Sequence, residues 1–275
     1  CYLLLPNTEA VKAQIEKVCE TVNRWLIEQF EASLHMAAAY VECSGHDLMN
    51  QPAERRPYAN IFIRLSRKLS DKKMRRYSAE EIRLLNRPAV SALRECRICG
   101  KTATLSAEKD ICEWCEAFSA VSHAVFSSGL YVISKTFLPG AKGFRLPGLS
   151  GDVYLHFSDE NQALEWAKTG SLLRVYCKNE PSAAFPGANK VYVADYAWSS
   201  LMSDLLTEST GIKRYAVLRM DVDNLGLAFV RGFEKDSPDP AVRYRYCTLT
   251  RTAAFSRQLS LFFKYYMNRI LTNRV

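Results

Sequence analysis

The sequence has 275 residues, of which 48% are hydrophobic and 24% charged. This is the composition of a globular protein, which excludes the disordered and fibrous classes, and the length suggests about two domains. No apolar run approaches the roughly 18–20 residues that span a bilayer, so we expect no membrane partner. Because the chain begins with Cys1 and not with Met, we expect it to be a piece of a longer protein.

The net charge of +8 results from 37 basic and 29 acidic residues. This excess favours polyanionic partners such as RNA, DNA or nucleotides. Several cations crowd one short stretch: Arg64, Arg67, Lys68, Lys72, Lys73, Arg75 and Arg76. A solvated helix face produces the same pattern, so both interpretations stay open.

The first fifty residues follow a strand–helix–strand pattern. Residues 2–5 form an apolar run that predicts a buried strand, and Thr8 can cap a helix that extends to Phe30. Residues 34–41 form a second apolar run and predict another strand. A strand, a long helix and a strand make up half of a split βαβ, ferredoxin-like layer.

The middle of the chain predicts basic helices and then a sheet. Residues 58–87 indicate helices, the second opened by the capping-box pattern Ser78-Ala-Glu-Glu81. Residues 139–151 are rich in Gly and Pro and predict a loop-rich, hairpin-like stretch. Predicted strands follow at 153–157, 172–176 and 190–193, with a short helix at 161–168 between the first two.

The last part of the chain begins with a β-prone run, Tyr215–Met220, which predicts a strand that leads into Asp221. Residues 227–233 predict a short helix. Residues from about 247 to 271 predict a longer helix whose aromatic and aliphatic side chains share one side.

Four of the nine cysteines, Cys96, Cys99, Cys112 and Cys115, form the pattern C-x2-C-x12-C-x2-C. Each pair can turn two thiolates toward one point, so the two pairs together predict a closed tetrahedral site for a structural Zn²⁺. This clustering is typical of a reduced, intracellular protein and not of a disulfide framework. An iron–sulfur cluster and four unligated thiols are the alternatives.

Asp221 and Asp223 lie two residues apart at the end of the predicted strand. Residues at this spacing in a strand project from the same face, so both carboxylates could bind one cation. Hard oxygen ligands suit Mg²⁺ or Mn²⁺ that bridges nucleotide phosphates, as in two-metal phosphoryl transfer. The alternative is that Asp223 only caps the following helix.

Two weaker motifs carry no prediction. His46-Asp47 spells the dipeptide of metal-dependent phosphohydrolases, but the four histidines are not grouped as such a site requires. The glycines between Gly140 and Gly151 lack the Lys-Ser/Thr ending of a phosphate-binding loop.

Four segments occur in an order that is typical of one family. They are Tyr2-Leu-Leu-Leu-Pro-Asn-Thr8, the Cys cluster, Lys213-Arg-Tyr-Ala-Val-Leu-Arg-Met-Asp-Val-Asp-Asn-Leu-Gly226 and Ser256-Arg-Gln-Leu-Ser-Leu-Phe-Phe263. Over nearly its whole length the chain resembles the large palm-domain subunit of type III-A CRISPR RNA-guided interference complexes.

The resemblance implies an α+β fold in which ferredoxin-like palm halves flank a zinc-binding adaptor domain. Residues 1–50 would be the C-terminal half of the first palm. Residues 51–210 would be linker helices and the zinc-binding adaptor, and residues 211–275 the opening of the second, cyclase-like palm. The family's HD nuclease and its Gly-Gly-Asp-Asp hairpin do not occur in these residues, so this piece alone is expected to be inactive.

The resemblance also implies a function. In the family, the palms convert ATP into cyclic oligoadenylates when target RNA pairs with the guide RNA, within a cytoplasmic complex that contains neighbouring effector subunits. Asp221 matches the family's strand-end metal ligand, Asp223 would assist it, and the carbonyl of Val222 is a further candidate ligand. Asp221 and Asp223 are thus the candidate catalytic residues, and Asp221, Val222, Asp223 and Asn224 the candidate nucleotide- and metal-binding residues.

Two other classes of function stay open. A non-catalytic zinc-ribbon scaffold that docks guide RNA and partner subunits would lack acidic residues in the next hairpin of the parent protein. A nucleotide-cyclase-like or diguanylate-cyclase-like signalling domain shares the palm but lacks the Cys cluster, so a protein without bound zinc would favour that class.

Overall fold

A computed structural model describes residues 2–87, 94–103, 105–106, 108–194, 202–207, 210–214 and 221–272. The chain divides into two compact units. The first unit comprises Cys1–Arg87 and Leu218–Ser260, and the second comprises Pro88–Val217 and Leu261–Val275.

The described residues form a mixture of helices and strands. The α-helices are α1 (Glu9–Phe30), α2 (Gly45–Leu48), α3 (Pro57–Met74), α4 (Ala79–Leu85), α5 (Glu113–Ser127), α6 (Glu160–Ala167), α7 (Met202–Leu205), α8 (Leu225–Arg231), α9 (Pro240–Arg243), α10 (Leu249–Leu261) and α11 (Met267–Thr272). The strands are β1 (Arg94–Glu95), β2 (Thr102–Ala103), β3 (Leu130–Ser134), β4 (Lys142–Leu146), β5 (Val153–Ser158), β6 (Leu172–Lys178) and β7 (Asn189–Val191).

The helices of the first unit begin where the sequence predicts. Thr8 caps α1 by accepting the N–H of Val11 at 3.3 Å, and Pro57 occupies the first turn of α3. At α4 the full capping box is present, because Ser78 and Glu81 each accept the other's backbone N–H. The predicted helices at 8–30 and 58–87 are therefore confirmed.

The two strands predicted at 2–5 and 34–41 are wrong, since neither segment forms a strand in the described part of the chain. Side chains bind the backbone of residues 34–42 in place of a neighbouring strand. Asn23 of α1 accepts the N–H of Met36 at 2.8 Å and donates to its carbonyl at 3.0 Å. Lys68 of α3 donates to the carbonyl of Tyr40. The ferredoxin-like layer that rested on these two strands is therefore not confirmed. The domain boundaries proposed from the sequence stay predictions.

The two pieces of the first unit are joined through a buried amide. Asn50, which is 2% exposed, donates from Nδ2 to the carbonyl of Tyr244 at 2.7 Å. Its Oδ1 accepts the N–H of Tyr58 at the start of α3. The guanidinium of Arg56 lies 4.4 Å from the centre of the Tyr244 ring, a cation–π contact across the same junction.

The second unit is built on a five-stranded sheet with the strand order β4-β5-β3-β6-β7. Neighbouring strands are antiparallel except for the pair β6 and β7. The predicted strands at 153–157, 172–176 and 190–193 correspond to β5, β6 and β7, and the helix predicted at 161–168 is α6. The predicted loop at 139–151 contains an edge strand, β4, as well.

Successive side chains of β3 point to opposite faces of the sheet, and each face has its own buried core. Leu130 and Val132 are buried together with Trp166 of α6. On the opposite face, Phe157 packs with Val121 and Ala124 of α5, and its ring meets that of Tyr131 at 5.1 Å. Helices therefore cover both faces of the sheet.

The C-terminal part is helical, as predicted for residues 247–271. α10 leads through a π-helical segment, Phe262–Tyr266, into α11. The predicted strand Tyr215–Met220 lies outside the described residues. None of the helices in the described ranges is both long and apolar enough to cross a membrane.

Candidate metal centre and acidic site

A short hairpin brings the first pair of cysteines together. β1 pairs with β2, and the turn between them is closed by the N–H of Gly100, which donates to the carbonyl of Cys96 at 2.8 Å. Gly100 adopts a φ of 70°, a conformation that glycine takes without steric cost. This turn places Cys99 beside Cys96, as the first half of a zinc knuckle requires.

The second pair of cysteines is presented by the start of α5. Cys112 is the residue before the helix and Cys115 lies in its first turn. The N–H of Cys112 donates to the sulfur of Cys96 at 3.3 Å, which joins the helix to the hairpin. An ion pair of 2.7 Å between Arg94 and Asp110 closes the intervening loop.

The four sulfur atoms all lie within 4.8 Å of one another, and those of Cys99 and Cys112 are 3.7 Å apart. Sulfurs about 2.3 Å from a central zinc form a tetrahedron with edges of about 3.8 Å. The predicted set of Cys96, Cys99, Cys112 and Cys115 is therefore brought together with the spacing that zinc needs. In the described ranges, no other group of three or more His, Cys, Asp or Glu side chains could hold a metal ion.

The protein environment already favours a thiolate at one position of this cluster. The backbone N–H groups of Cys99, Cys112 and Ile98 donate to the sulfur of Cys96 and lower the pKa of its thiol to about 6. Burial, together with the neighbouring thiols, raises the pKa of Cys115 well above its usual range. A cation at the centre would have to displace the Cys115 proton, so metal binding there is coupled to pH.

The acidic motif lies immediately before α8. Asp221 and Asp223 are both exposed, and Oδ1 of Asp221 accepts the N–H of Val222 at 2.9 Å. The carbonyl of Val222 accepts the N–H of Leu225 at 3.4 Å, so one of its two lone pairs takes part in the turn that opens the helix. Both carboxylates thus keep oxygen atoms open to solvent.

The alternative role of these acids, capping of α8, is not what the structure contains. Asn224 is the capping residue, with a φ of 56°, and no side chain there accepts a hydrogen bond from the helix. Asp223 forms no hydrogen bond or ion pair with the described residues. Two exposed carboxylates are a donor set that suits Mg²⁺, which keeps most of its waters and takes only one or two protein carboxylates.

The His46-Asp47 dipeptide has a structural role. Asp47 completes a capping box at α2, since its carboxylate accepts both the N–H and the hydroxyl of Ser44 at 2.8 Å. These hydrogen bonds lower the pKa of Asp47. The dipeptide therefore forms the start of a helix.

Two family models match the ends of the chain. The model described as Csm1 subunit domain B matches residues 1–88, and the model described as Cas10/Cmr2, second palm domain, matches residues 214–275. The second match includes the whole acidic motif, and the Cys cluster lies between the two matches.

Curated relatives cover the rest of the chain. Among them are the proteins named CRISPR system single-strand-specific deoxyribonuclease Cas10/Csm1 (subtype III-A) from Mycobacterium tuberculosis, Enterococcus italicus and Streptococcus thermophilus. Their identities to this chain are 36% over 287 residues, 33% over 278 and 30% over 279. The chain is a homologue of the Cas10/Csm1 proteins of subtype III-A.

The alignments with these Cas10/Csm1 proteins cover 98–99% of the chain and 34% of each relative. The resemblance to the large subunit of type III-A complexes is thereby confirmed. Because the chain spans only about a third of these relatives, their activities are not carried over to it by similarity alone.

Proposed function

We propose that the chain is part of the large subunit of a type III-A CRISPR effector complex whose palm domains synthesise cyclic oligoadenylates from ATP. The observation that carries this proposal is the Asp221-Val-Asp223 motif, which falls within the match to the second palm domain and leaves both carboxylates exposed. Guide RNA, target RNA and neighbouring effector subunits are the partners that go with it, in the cytoplasm.

In this proposal the acidic motif positions the reacting nucleotide. Asp221 and Asp223 would hold divalent cations, which when bound polarise the α-phosphate of ATP and stabilise the attacking and leaving oxygens. The αL conformation of Asn224 turns the chain from the motif into α8. The two carboxylates belong to the exposed residues directly before this helix, where they would hold the cations of a bound triphosphate.

The Cys cluster has a structural role in the same proposal. Four sulfur ligands would fill the coordination shell of zinc and leave no open position for a substrate. The cation would tie the β1–β2 hairpin to α5, and through α5 to the sheet of the second unit. The zinc site thus maintains the adaptor fold and takes no part in the chemistry.

We assign the deoxyribonuclease activity in the relatives' names to no residue of this chain. In its one His-Asp dipeptide, Asp47 forms the capping box at the start of α2. The chemistry proposed for the chain itself is nucleotidyl transfer alone.

Substitution of Asp221 in the full-length protein, assembled with guide RNA, tests the proposal. With target RNA, ATP and Mg²⁺ present, the unchanged complex should form cyclic oligoadenylates, and Asp221→Ala should reduce their formation to background. Asp236→Ala removes another exposed carboxylate of the first unit and should leave the product unchanged. Full synthesis by the Asp221 variant would contradict the proposal, and an unchanged complex that makes no product would favour the scaffold alternative.

A further inference from the structure

A surface cavity of about 380 Å³ lies between residues 40–42 and the middle of α3. It is lined by Tyr40, Val41, Glu42, Arg64, Arg67 and Lys68. The three cations belong to the basic run for which the sequence left two interpretations open. Arg67 and Lys68 follow Arg64 by three and four residues, so the three cations share one side of the helix.

Backbone carbonyls hold two of these cations in place. Nη2 of Arg64 donates to the carbonyl of Glu42 at 3.1 Å, and Nζ of Lys68 donates to the carbonyl of Tyr40 at 3.2 Å. Lys68 also lies 5.7 Å from the centre of the Tyr40 ring. Each head group has further N–H donors, so its position is fixed while part of its hydrogen-bonding capacity remains available.

Glu42, the one acid among these described lining residues, is already neutralised. The carboxylate of Glu42 pairs with Nζ of Lys12 at 2.7 Å, an interaction that lowers the pKa of Glu42. Arg67 forms no hydrogen bond or ion pair with the residues that the structure describes. The cavity therefore has an excess of positive charge and an unpaired guanidinium, which suits an anionic ligand.

We propose that this cavity binds the phosphodiester backbone of a single-stranded nucleic acid. The basic run continues beyond the cavity to Arg76, and the eleven residues of α3 from Arg64 to Met74 extend about 16 Å, more than one phosphate group needs. A groove of cations with an aromatic ring at its edge is typical of sites that follow a single strand, and Tyr40 supplies that ring. This inference does not depend on the nucleotidyl-transfer proposal, since it involves neither Asp221 nor Asp223.

The test uses the full-length protein and short fluorescent oligouridylate and oligothymidylate probes in anisotropy titrations at several salt concentrations. The variant Arg64→Gln/Arg67→Gln/Lys68→Gln should bind both probes several-fold more weakly. Its slope of log affinity against log salt should fall by about 2, because each backbone contact on a single strand contributes about 0.7. Backbone contacts carry no sequence information, so both probes should respond alike.

A charge-matched control separates this site from general surface charge. Lys17→Gln/Arg24→Gln/Arg83→Gln removes three exposed cations of α1 and α4 that do not line the cavity, and it should leave affinity and slope unchanged. Circular dichroism should show the same melting temperature for both triple variants. Equal losses in the two variants would overturn the proposal, as would unchanged oligonucleotide binding in the cavity variant. If the cavity variant lost affinity for ATP but kept its affinity for both oligonucleotides, the proposal would be overturned in favour of a mononucleotide site.

Discussion

His156 is a fully buried histidine whose two ring nitrogens have different surroundings. Nε2 lies 3.0 Å from the hydroxyl of Ser134, and that hydroxyl donates its own proton to the carbonyl of Thr136. Nε2 must therefore carry the proton, and Nδ1, which has no hydrogen-bond partner, faces Gly143 on β4. Burial lowers the pKa of His156, which favours the neutral ring in the folded protein relative to the unfolded chain.

This neutral ring predicts a loss of stability in mild acid. As the pH falls below about 6.5, His156 takes up a proton in the unfolded chain before it does so in the folded one, so protonation favours unfolding. The free energy of unfolding should fall by up to about 1.4 kcal/mol per pH unit in this range. Urea titrations from pH 7 to pH 5 measure the slope.

Two variants complete this experiment. His156→Gln keeps an N–H donor near Ser134 but cannot titrate, so its slope between pH 6.5 and 5 should be smaller than that of the unchanged protein. His46→Gln removes an exposed histidine and should keep the slope. An identical pH dependence in all three proteins would show that His156 is not the group responsible.

At the scale of single elements, the Cys hairpin has too few apolar contacts to hold its shape alone. Its buried cluster consists of Cys96, Ile111 and Cys112, and two of these three residues belong to the four proposed zinc ligands. The strands β1 and β2 contain two residues each. Zinc binding at such sites contributes on the order of 10 kcal/mol to folding, so a zinc ion bound here would be the main stabilising element of the hairpin.

Removal of one ligand should therefore unfold the hairpin locally. We expect Cys96→Ser to lose bound zinc and to abolish the protection of amides at residues 94–116 in hydrogen exchange, because three sulfur ligands leave the tetrahedron open. The sheet has its own buried cluster around Val132 and Trp166 and should stay protected. Metal analysis together with exchange mass spectrometry measures both effects.

The matched control is Cys43→Ser, which replaces a cysteine outside the cluster. This variant should retain one zinc ion per chain. Chelation of the unchanged protein should reproduce the exchange pattern of Cys96→Ser. A Cys96→Ser protein with full zinc content would disprove the assignment of this ligand.

The elements that sequence analysis identified are those with local signals. Thr8 and Ser78 cap helices that begin at the next residue, and the four cysteines lie within twenty residues of one another. These helix caps and the Cys cluster can therefore be inferred without knowledge of the fold. The segment 34–41 was wrongly predicted as a strand because its apolar residues fit that pattern, whereas its conformation depends on Asn23 and on cations of α3. The cavity at Arg64 was missed for the same reason: the sequence shows the cations but not the chain segment that meets them.

At the scale of the whole molecule, the first unit consists of two pieces that are far apart in the chain. Asn50 and Tyr244, which join them, are separated by 194 residues. Such a pairing has no signature in the sequence, because neither residue belongs to a motif. The φ of 58° at Asn50 agrees with the tolerance of asparagine for the left-handed region.

This junction leads to a prediction about the stability of the first unit. Asn50→Ala leaves the carbonyl of Tyr244 and the N–H of Tyr58 without their present partners, in surroundings where Asn50 itself is 2% exposed. A buried group that loses its partner costs about 1–3 kcal/mol, so the free energy of unfolding should fall by about that amount. Urea denaturation followed by circular dichroism measures the change.

Two further variants identify the contact that matters. Asn50→Asp keeps an oxygen for the N–H of Tyr58 but removes the donor to Tyr244, so it should also destabilise the protein. Asn86→Ala removes an exposed amide that donates to Ile82 within the same helical turn, and it should cost less than about 0.5 kcal/mol. If Asn50→Ala cost as little stability as Asn86→Ala, contacts other than this amide would have to hold the two pieces of the first unit together. The stacking of Arg56 on Tyr244 is the nearest candidate.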